Sequence, residues 1–200
     1  MSLASKPFVL LLSIVALWGA DKETPFRPKP IDSYPCRQTL EGLTIAAEPF
    51  DTPEETKEAF GKLNPNQYGI LPVLVVMRNS GKATLSLEQL RVEYIAESRS
   101  RIAATPAAEV RYATGPSRPT PRPGPLPSPR PRLGRRNNPL SAWEIEGRAF
   151  VARMLPPGET ASGFFYFQAT HRPGATLYLT GIKEAGTQRD LFYFEIPLDR

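Results

Sequence analysis

Histidine and paired carboxylates are the residues of this chain with the clearest potential for acid–base or metal chemistry. His171 is the only histidine, and it stands beside the turn sequence Arg172-Pro173-Gly174. A general base needs a nucleophile and an orienting partner, and a zinc ligand needs histidine or cysteine companions at suitable spacing. The sequence places neither set around His171, so we expect a solvated loop histidine.

Two carboxylate pairs have structural explanations. Glu54 and Glu55 fall at a predicted helix N-terminus, where exposed amides and the helix dipole favour negative charge. Glu144 and Glu146 would share one face of an extended segment, and we expect them at a solvated strand edge. The sequence has no phosphate-cradling glycine loop, zinc spacing, calcium loop or glycine-flanked nucleophile. It therefore predicts a protein that is not an enzyme and has no cofactor or metal site.

Cys36 is the only cysteine, which excludes an internal disulfide framework and a multi-cysteine metal site. We expect it to be a lone thiol near an extended N-terminal segment. The alternative is a disulfide bond with a second molecule, which a single cysteine on a secreted chain permits.

A basic, proline-rich stretch is the most informative part of the sequence. Between Val110 and Trp143 there are seven arginines and no acidic residue, and nine prolines fall between Pro116 and Pro139. Subtracting the seven charges from the net charge of +5 leaves −2 for the rest of the chain. We therefore expect a mildly acidic body that carries a basic insertion over 110–143. The candidate partner-binding residues of this insertion are Arg118, Arg122, Arg130, Arg132, Arg135 and Arg136.

The composition of the insertion predicts disorder, because apolar side chains are few and proline removes backbone donors. Alternating prolines favour the extended polyproline II conformation, with the arginines exposed to solvent. Three interpretations stay open: a spacer without a partner, a proline-rich ligand for an aromatic groove of another protein, or an electrostatic contact with anionic lipid, lipopolysaccharide or surface polymer. Nucleic acid is not an expected partner, since export separates the protein from cellular nucleic acid and no aromatic residues are interleaved for base stacking.

Aromatic residues are concentrated in the C-terminal part of the chain and allow two interpretations. In residues 163–168, strand alternation puts Phe165 and Phe167 on one side and Phe164 and Tyr166 on the other. One interpretation is an exposed strip that binds sugar or a protein partner, and the other is burial under the insertion or in a second layer. The full set comprises Phe164, Phe165, Tyr166, Phe167, Tyr178, Phe192, Tyr193 and Phe194.

Residues 71–78 predict the central strand, because five consecutive apolar residues, three of them valine, indicate burial on both faces. Ahead of it, Thr52-Pro53-Glu54-Glu55 predicts a capped helix that ends near Phe60. Its residues Ala59 and Phe60, together with Leu63, are expected to cover the outer face of the strand. Further strands are expected over 42–49, 83–87, 89–95, 148–155, 163–168, 175–182 and 191–196, with a helical turn near 105–109. This regular spacing predicts an all-β antiparallel sandwich of about 7–8 strands with one or two short helices.

The N-terminus predicts export. Residues 8–18 form an apolar run behind Lys6, which is typical of a signal peptide over 1–20 and too short to span a bilayer. An uncleaved anchor and a buried core helix are the alternatives, and membrane contact is expected only if the segment stays uncleaved. Residues 21–41, with four prolines in 21–35, predict an extended tether. We expect a periplasmic or extracellular protein.

Two turn motifs carry a resemblance to a known family. The apolar strand ending in Met77-Arg78-Asn79-Ser80-Gly81 and the turn Leu155-Pro156-Pro157-Gly158-Glu159 resemble exported bacterial immunoglobulin-like β-sandwich domains. The resemblance covers roughly 42–198. It implies an immunoglobulin-like sandwich at 42–200, interrupted by the insertion, and a binding or scaffolding role.

The expected function is that of a non-catalytic binding or assembly module of the bacterial envelope or periplasm. Its partner would be an envelope protein or an anionic envelope surface, contacted through the insertion or a sheet surface. The alternative is a protease-inhibitor-like sandwich or an accessory subunit of an envelope enzyme. No loop in the sequence is rigid enough to nominate as inhibitory.

Overall fold

A long apolar strand, Leu71–Asn79, lies at the centre of the fold. The computed structural model describes residues 26–113 and 138–199. In the central strand every residue except Arg78 is buried, as the unbroken apolar run predicted. Burial on both faces requires two layers of cover, and the rest of the fold supplies them.

Eleven strands and three α-helices occur in the described residues. The strands are Arg37–Leu40 (β1), Leu43–Pro49 (β2), Leu71–Asn79 (β3), Leu85–Ser86 (β4), Arg91–Ile95 (β5), Arg101–Ala103 (β6), Met154–Leu155 (β7), Thr160–Phe167 (β8), Thr176–Thr180 (β9), Lys183–Glu184 (β10) and Phe194–Pro197 (β11). The α-helices are Pro53–Phe60 (α1), Ala107–Val110 (α2) and Trp143–Gly147 (α3), and short 3₁₀ helices cover Ile31–Ser33, Pro65–Tyr68 and Pro139–Ser141. The predicted all-β class is confirmed, with more and shorter strands than the sequence predicted.

The strands form three antiparallel sheets. The first has the order β1-β2-β3-β8, the second β11-β9-β5-β6, and a small third sheet has the order β10-β4-β7. The first and second sheets share one apolar core, built from alternate inward residues such as Ile45, Val75, Tyr94, Leu177 and Ile196. Alternation along each strand therefore gives the second sheet one buried face and one face toward solvent.

A separate apolar cluster covers the opposite face of the first sheet. It contains Phe60 of α1, Val110 of α2 and Ile145 of α3, packed against Phe164 and Tyr166 of β8. The predicted cover of the central strand is confirmed, since Ala59 and Phe60 are buried in this cluster and Leu63 packs against it. We call this side of the molecule the helical layer.

The start of α1 follows the predicted capping pattern. The Thr52 hydroxyl accepts a hydrogen bond from the Glu55 amide at 3.4 Å, and the Thr52 amide donates to the Glu55 carboxylate at 3.3 Å. Pro53 takes the first helical position, and Gly61 follows the helix with φ +63°. Glu55 therefore has a structural role, and Glu54 lies in the same first turn.

Part of the segment predicted as a tether packs on the first sheet. Ile31 and Tyr34 are buried, and β1 pairs with β2, so that the sheet begins ahead of position 42. The prolines of 26–35 limit regular structure there, but they do not prevent apolar side chains between them from packing. Arg78 of β3 fixes this segment through two hydrogen bonds to the Asp32 carboxylate, at 2.8 and 3.0 Å.

The Asp32–Arg78 pair predicts a pH dependence of stability. Hydrogen bonding to Arg78 lowers the pKa of the Asp32 carboxyl below its ordinary value of 3.8. A lowered folded-state pKa stabilises the fold above the unfolded-state pKa, and this contribution is lost as pH falls through the folded-state value. We therefore expect the free energy of unfolding to fall less steeply below pH 3.8 in Asp32→Asn than in the wild type.

Urea unfolding at a series of acidic pH values measures this difference. Arg78→Gln is the matched control, since it keeps Asp32 but removes its partner and should flatten the same part of the curve. Parallel pH profiles for the wild type and both variants would contradict the prediction.

Residues 142–155 depart from the predicted strand. Glu144 and Glu146 lie on α3, not on an extended edge, and only Met154–Leu155 pairs as a strand. Between them the chain crosses β8: the Phe164 amide donates to the Arg148 carbonyl at 2.8 Å, and the Phe150 amide donates to the Phe164 carbonyl at 3.1 Å. The Thr105 amide donates to the Tyr166 carbonyl at 2.7 Å, so two separate segments cover the outer edge of β8.

Candidate functional site

The two ends of the basic insertion lie side by side on the helical layer. The Asn138 side-chain amide donates a hydrogen bond to the Arg111 carbonyl, and the Arg111 guanidinium forms an ion pair with Glu146 of α3. Val110 and Leu140, which flank this junction, are both buried in the helical layer. The predicted signal peptide at 1–20 lies outside the described residues, as do the predicted partner-binding residues Arg118, Arg122, Arg130, Arg132, Arg135 and Arg136.

This junction predicts that the body folds without the insertion. Deleting 116–136 is expected to leave unfolding cooperative and to change the free energy of unfolding by less than about 1 kcal/mol, because closure entropy varies slowly with loop length. Chemical denaturation of the deletion variant measures the change. Replacing 116–136 by a Gly/Ser segment of equal length is the control for length alone. A loss of several kcal/mol in both variants would mean that side chains of the insertion pack on the body.

Most aromatic residues predicted as candidates have structural roles. Phe165 and Phe167 of β8 face the core between the sheets, whereas Phe164 and Tyr166 are buried in the helical layer, as alternation predicted. The Tyr166 hydroxyl donates to the Ile145 carbonyl at 2.7 Å, and burial raises the pKa of this hydroxyl. Burial in a second layer is therefore the correct interpretation for β8.

Of the remaining aromatic residues, Phe194 is buried in the core between the sheets, whereas Tyr178, Phe192 and Tyr193 lie on the solvent side of the second sheet. Tyr178 of β9 points outward, and Tyr193, just before β11, is 51% exposed. Phe192, its neighbour in the chain, is 73% exposed. We call the outward surface of this sheet the tyrosine face, and its defining residues are Glu93, Arg101, Tyr178, Tyr193 and Glu195.

Pairing between strands sets the geometry of the tyrosine face. Tyr178 lies directly between Glu93 of β5 and Glu195 of β11 in the strand register. Its ring centroid is 5.4 Å from that of Tyr193, at an interplanar angle of 31°. On the other side, the Arg101 guanidinium carbon lies 4.9 Å from the Tyr178 centroid, and Arg101 also forms a 3.0 Å ion pair with Glu93. The surface thus combines two adjacent, tilted aromatic rings with charges of both signs.

Sequence reasoning identified only the aromatic half of this surface. Tyr178 and Tyr193 were in the aromatic set, whereas Glu93, Arg101 and Glu195 were not singled out. Alternation in 91–95 does indicate that Glu93 faces outward when Val92 and Tyr94 face the core. The approach of Arg101 to Tyr178 depends on β6 and β9 both joining β5, which local sequence does not encode.

His171 lies in the loop between β8 and β9, where the sequence placed it, and is partly packed against Tyr94. Its Nδ1 is 3.5 Å from the Tyr94 hydroxyl, which also accepts a 3.3 Å hydrogen bond from the Arg172 amide. Burial raises the pKa of the Tyr94 hydroxyl, so the hydroxyl stays protonated in these hydrogen bonds. The contacts explain how the loop is held on the body.

Cys36 is buried beside β1, and its thiol donates to the Asp199 carbonyl at 2.8 Å. This contact fixes the C-terminal strand next to the N-terminal one. Across the part of the chain that the structure describes, histidine, cysteine, aspartate and glutamate form no group of three or more that could hold a metal ion. In residues 26–113 and 138–199, none of the helices has the length and apolar character needed to cross a membrane.

Comparison with known proteins gives only distant structural similarity. Neither protein-family models nor curated protein sequences match the chain. A candidate lipoprotein from Bacillus subtilis has a TM-score of 0.36 at 8% identity, over 80% of this chain, and the chain spans 38% of that protein. A candidate ApaA protein from Bordetella pertussis has a TM-score of 0.32 at 14% identity, covering 78% of this chain and 88% of that one. A Listeria monocytogenes protein described as functionally unknown has a TM-score of 0.30 at 11% identity, covering 71% of this chain and 68% of that one.

Proposed function

We propose that this protein is an exported, non-catalytic binding or assembly module of the bacterial envelope or periplasm. Its first and second sheets would correspond to an immunoglobulin-like sandwich that serves as a rigid platform. The observation that carries the proposal is the tyrosine face, where the tilted rings of Tyr178 and Tyr193 are in contact on the outward sheet surface next to Arg101 and two carboxylates. Aromatic and arginine side chains of this kind are enriched in protein interfaces.

The tyrosine face is better suited to binding than to catalysis. Its two aromatic rings present flat apolar area at low conformational cost, and Arg101, Glu93 and Glu195 supply polar contacts around them. A sheet surface is also rigid, because every strand in it pairs with a neighbour. Binding to such a surface needs little ordering of the protein itself, which favours affinity.

Site-specific photo-crosslinking in the producing cells tests this proposal. A probe at Phe192, beside the tyrosine face, and a second probe at Ser128, in the insertion, should each give discrete adducts. A probe at Val151, which is 78% exposed but outside both regions, is the matched control. Background labelling from Phe192 and Ser128 alike, equal to that from Val151, would refute a binding role.

The nature of the adducts from Ser128 separates the two expected partner classes. Protein adducts support an envelope protein that recognises the prolines, whereas lipid or polymer adducts support an anionic envelope surface. Replacing Arg118, Arg122, Arg130, Arg132, Arg135 and Arg136 by glutamate should abolish association with an anionic surface at low salt, because like charges repel.

A further inference from the structure

We propose that the tyrosine face binds the proline- and arginine-rich residues 116–136 of a second copy of this chain. This inference rests on the proposed binding function and names its partner. The protein then carries both halves of one contact: a basic proline-rich ligand in the insertion and an aromatic surface on the second sheet. Recognition of this kind, in which proline-rich segments dock against aromatic side chains, is a common mode of peptide binding.

The tyrosine face already binds one guanidinium group, that of Arg101, and arginines of the insertion could be bound in the same way. Arg101 stacks on the Tyr178 ring at 4.9 Å while its charge is paired with Glu93. Tyr193 presents a second ring, 51% exposed, next to the first. Arginine side chains stack on aromatic faces, and proline rings pack against them as preformed, low-entropy surfaces. Both residue types alternate through 116–136.

Charge also favours this pairing. Residues 116–136 carry six arginines and no acid, whereas the rest of the chain has a net charge of −1. Glu195 lies opposite Tyr178 in the strand register, is exposed, and forms no ion pair with any other described residue. Its carboxylate is therefore available to an incoming arginine next to the two tyrosine rings.

Geometry favours a second copy over the same chain. The insertion leaves from the helical layer, on one side of the first sheet, whereas the tyrosine face lies beyond the second sheet. With layers about 10 Å apart and strands about 4.8 Å apart, the path around the molecule is about 40 Å. The undescribed stretch 114–137 has both ends at one junction, so in the polyproline II conformation that its prolines favour its tip would reach about 37 Å. In that conformation no part of a chain's own insertion would be left to lie along its tyrosine face. Two copies, in contrast, can exchange insertions around a two-fold axis.

Sedimentation velocity of the purified protein tests this inference. We expect concentration-dependent self-association that weakens as salt is added, because the contact involves arginines. Tyr193→Ala, and separately the exchange of all six arginines in 116–136 for glutamine, should each weaken dimerisation by about tenfold or more. Val151→Ala, at an exposed apolar residue away from the face, should associate like the wild type.

Mixing the two defective proteins gives the decisive result. The protein with glutamine at the six positions of 116–136 keeps an intact tyrosine face, and the Tyr193→Ala protein keeps an intact insertion. The mixture should therefore form a heterodimer, although neither protein dimerises alone. A mixture that stays monomeric would overturn the inference, as would a wild type that is monomeric at every concentration. If the probe at Phe192 crosslinks to a different protein and the wild type is monomeric, the second-copy inference is overturned but the proposed binding function is retained.

Discussion

Substitution of Phe164 by alanine is expected to lower the free energy of unfolding by about 4 kcal/mol, the range typical of buried phenylalanine. Its ring is 2% exposed and lies 4.9 Å from the rings of both Phe50 and Phe60 and 5.5 Å from that of Phe26. Four segments of the chain therefore meet at this one side chain. Removing it opens a cavity that no single neighbour can fill, because each neighbour is packed in a different segment of the chain.

The matched control is Phe192→Ala. Phe192 is 73% exposed, so its loss should change the free energy of unfolding by less than about 0.5 kcal/mol. Urea denaturation of the two variants under one set of conditions measures the contrast. Equal destabilisation by both substitutions would contradict the assignment of Phe164 to the centre of the helical layer.

Gly163→Ala is expected to lower the free energy of unfolding by about 3 kcal/mol, at the upper end for overpacking. A β-carbon at Gly163 would lie 2.5 Å from the α-carbon and 2.6 Å from the amide nitrogen of Phe150. Both clashing atoms are backbone, so the segment that crosses β8 has to move as a whole. That movement strains the hydrogen bonds which the adjacent Phe164 makes with Arg148 and Phe150.

Gly186→Ala provides the control for the loss of glycine itself. A β-carbon at Gly186 meets no atom within 4 Å, so this variant should be neutral or slightly stabilised through its less flexible unfolded state. Denaturant midpoints of the two variants should therefore move in different directions or by clearly different amounts. A Gly163→Ala protein as stable as Gly186→Ala would show that the crossing segment does not pack where the structure places it.

Elements encoded by local patterns were predicted closely. The central strand was predicted at 71–78 and spans Leu71–Asn79, because a long apolar run has few alternatives to a strand buried on both faces. The helix Pro53–Phe60 begins where the threonine–proline–glutamate pattern predicted, since each residue of the cap has a specific local partner. Alternation likewise assigned Phe165 and Phe164 to opposite sides of β8.

Elements that depend on distant partners were not predicted. The side-chain pattern of residues 148–155 predicts one strand. Their path is instead set by the preceding helix α3 and by close packing of the Phe150 backbone on Gly163, which has no side chain. The proline content near the N-terminus predicted a tether, whereas Tyr34 is buried against the first sheet. The contact between the rings of Tyr178 and Tyr193 also depends on β9 and β11 being neighbours, which sequence periodicity does not determine.

The way β8 is bordered bears on solubility. Its residues Phe164, Phe165, Tyr166 and Phe167 form an uncharged aromatic run of the type that promotes cross-β aggregation when a strand edge is open. Arg148 and Phe150 occupy one part of that edge and Thr105 another, so neither border is a strand that a second molecule could extend. Because two separate segments cover this edge, either one can detach while the other stays in place. Detachment of either segment would expose part of an aromatic strand edge. We therefore expect a variant with a weakened border to aggregate under conditions in which most of the protein is still folded.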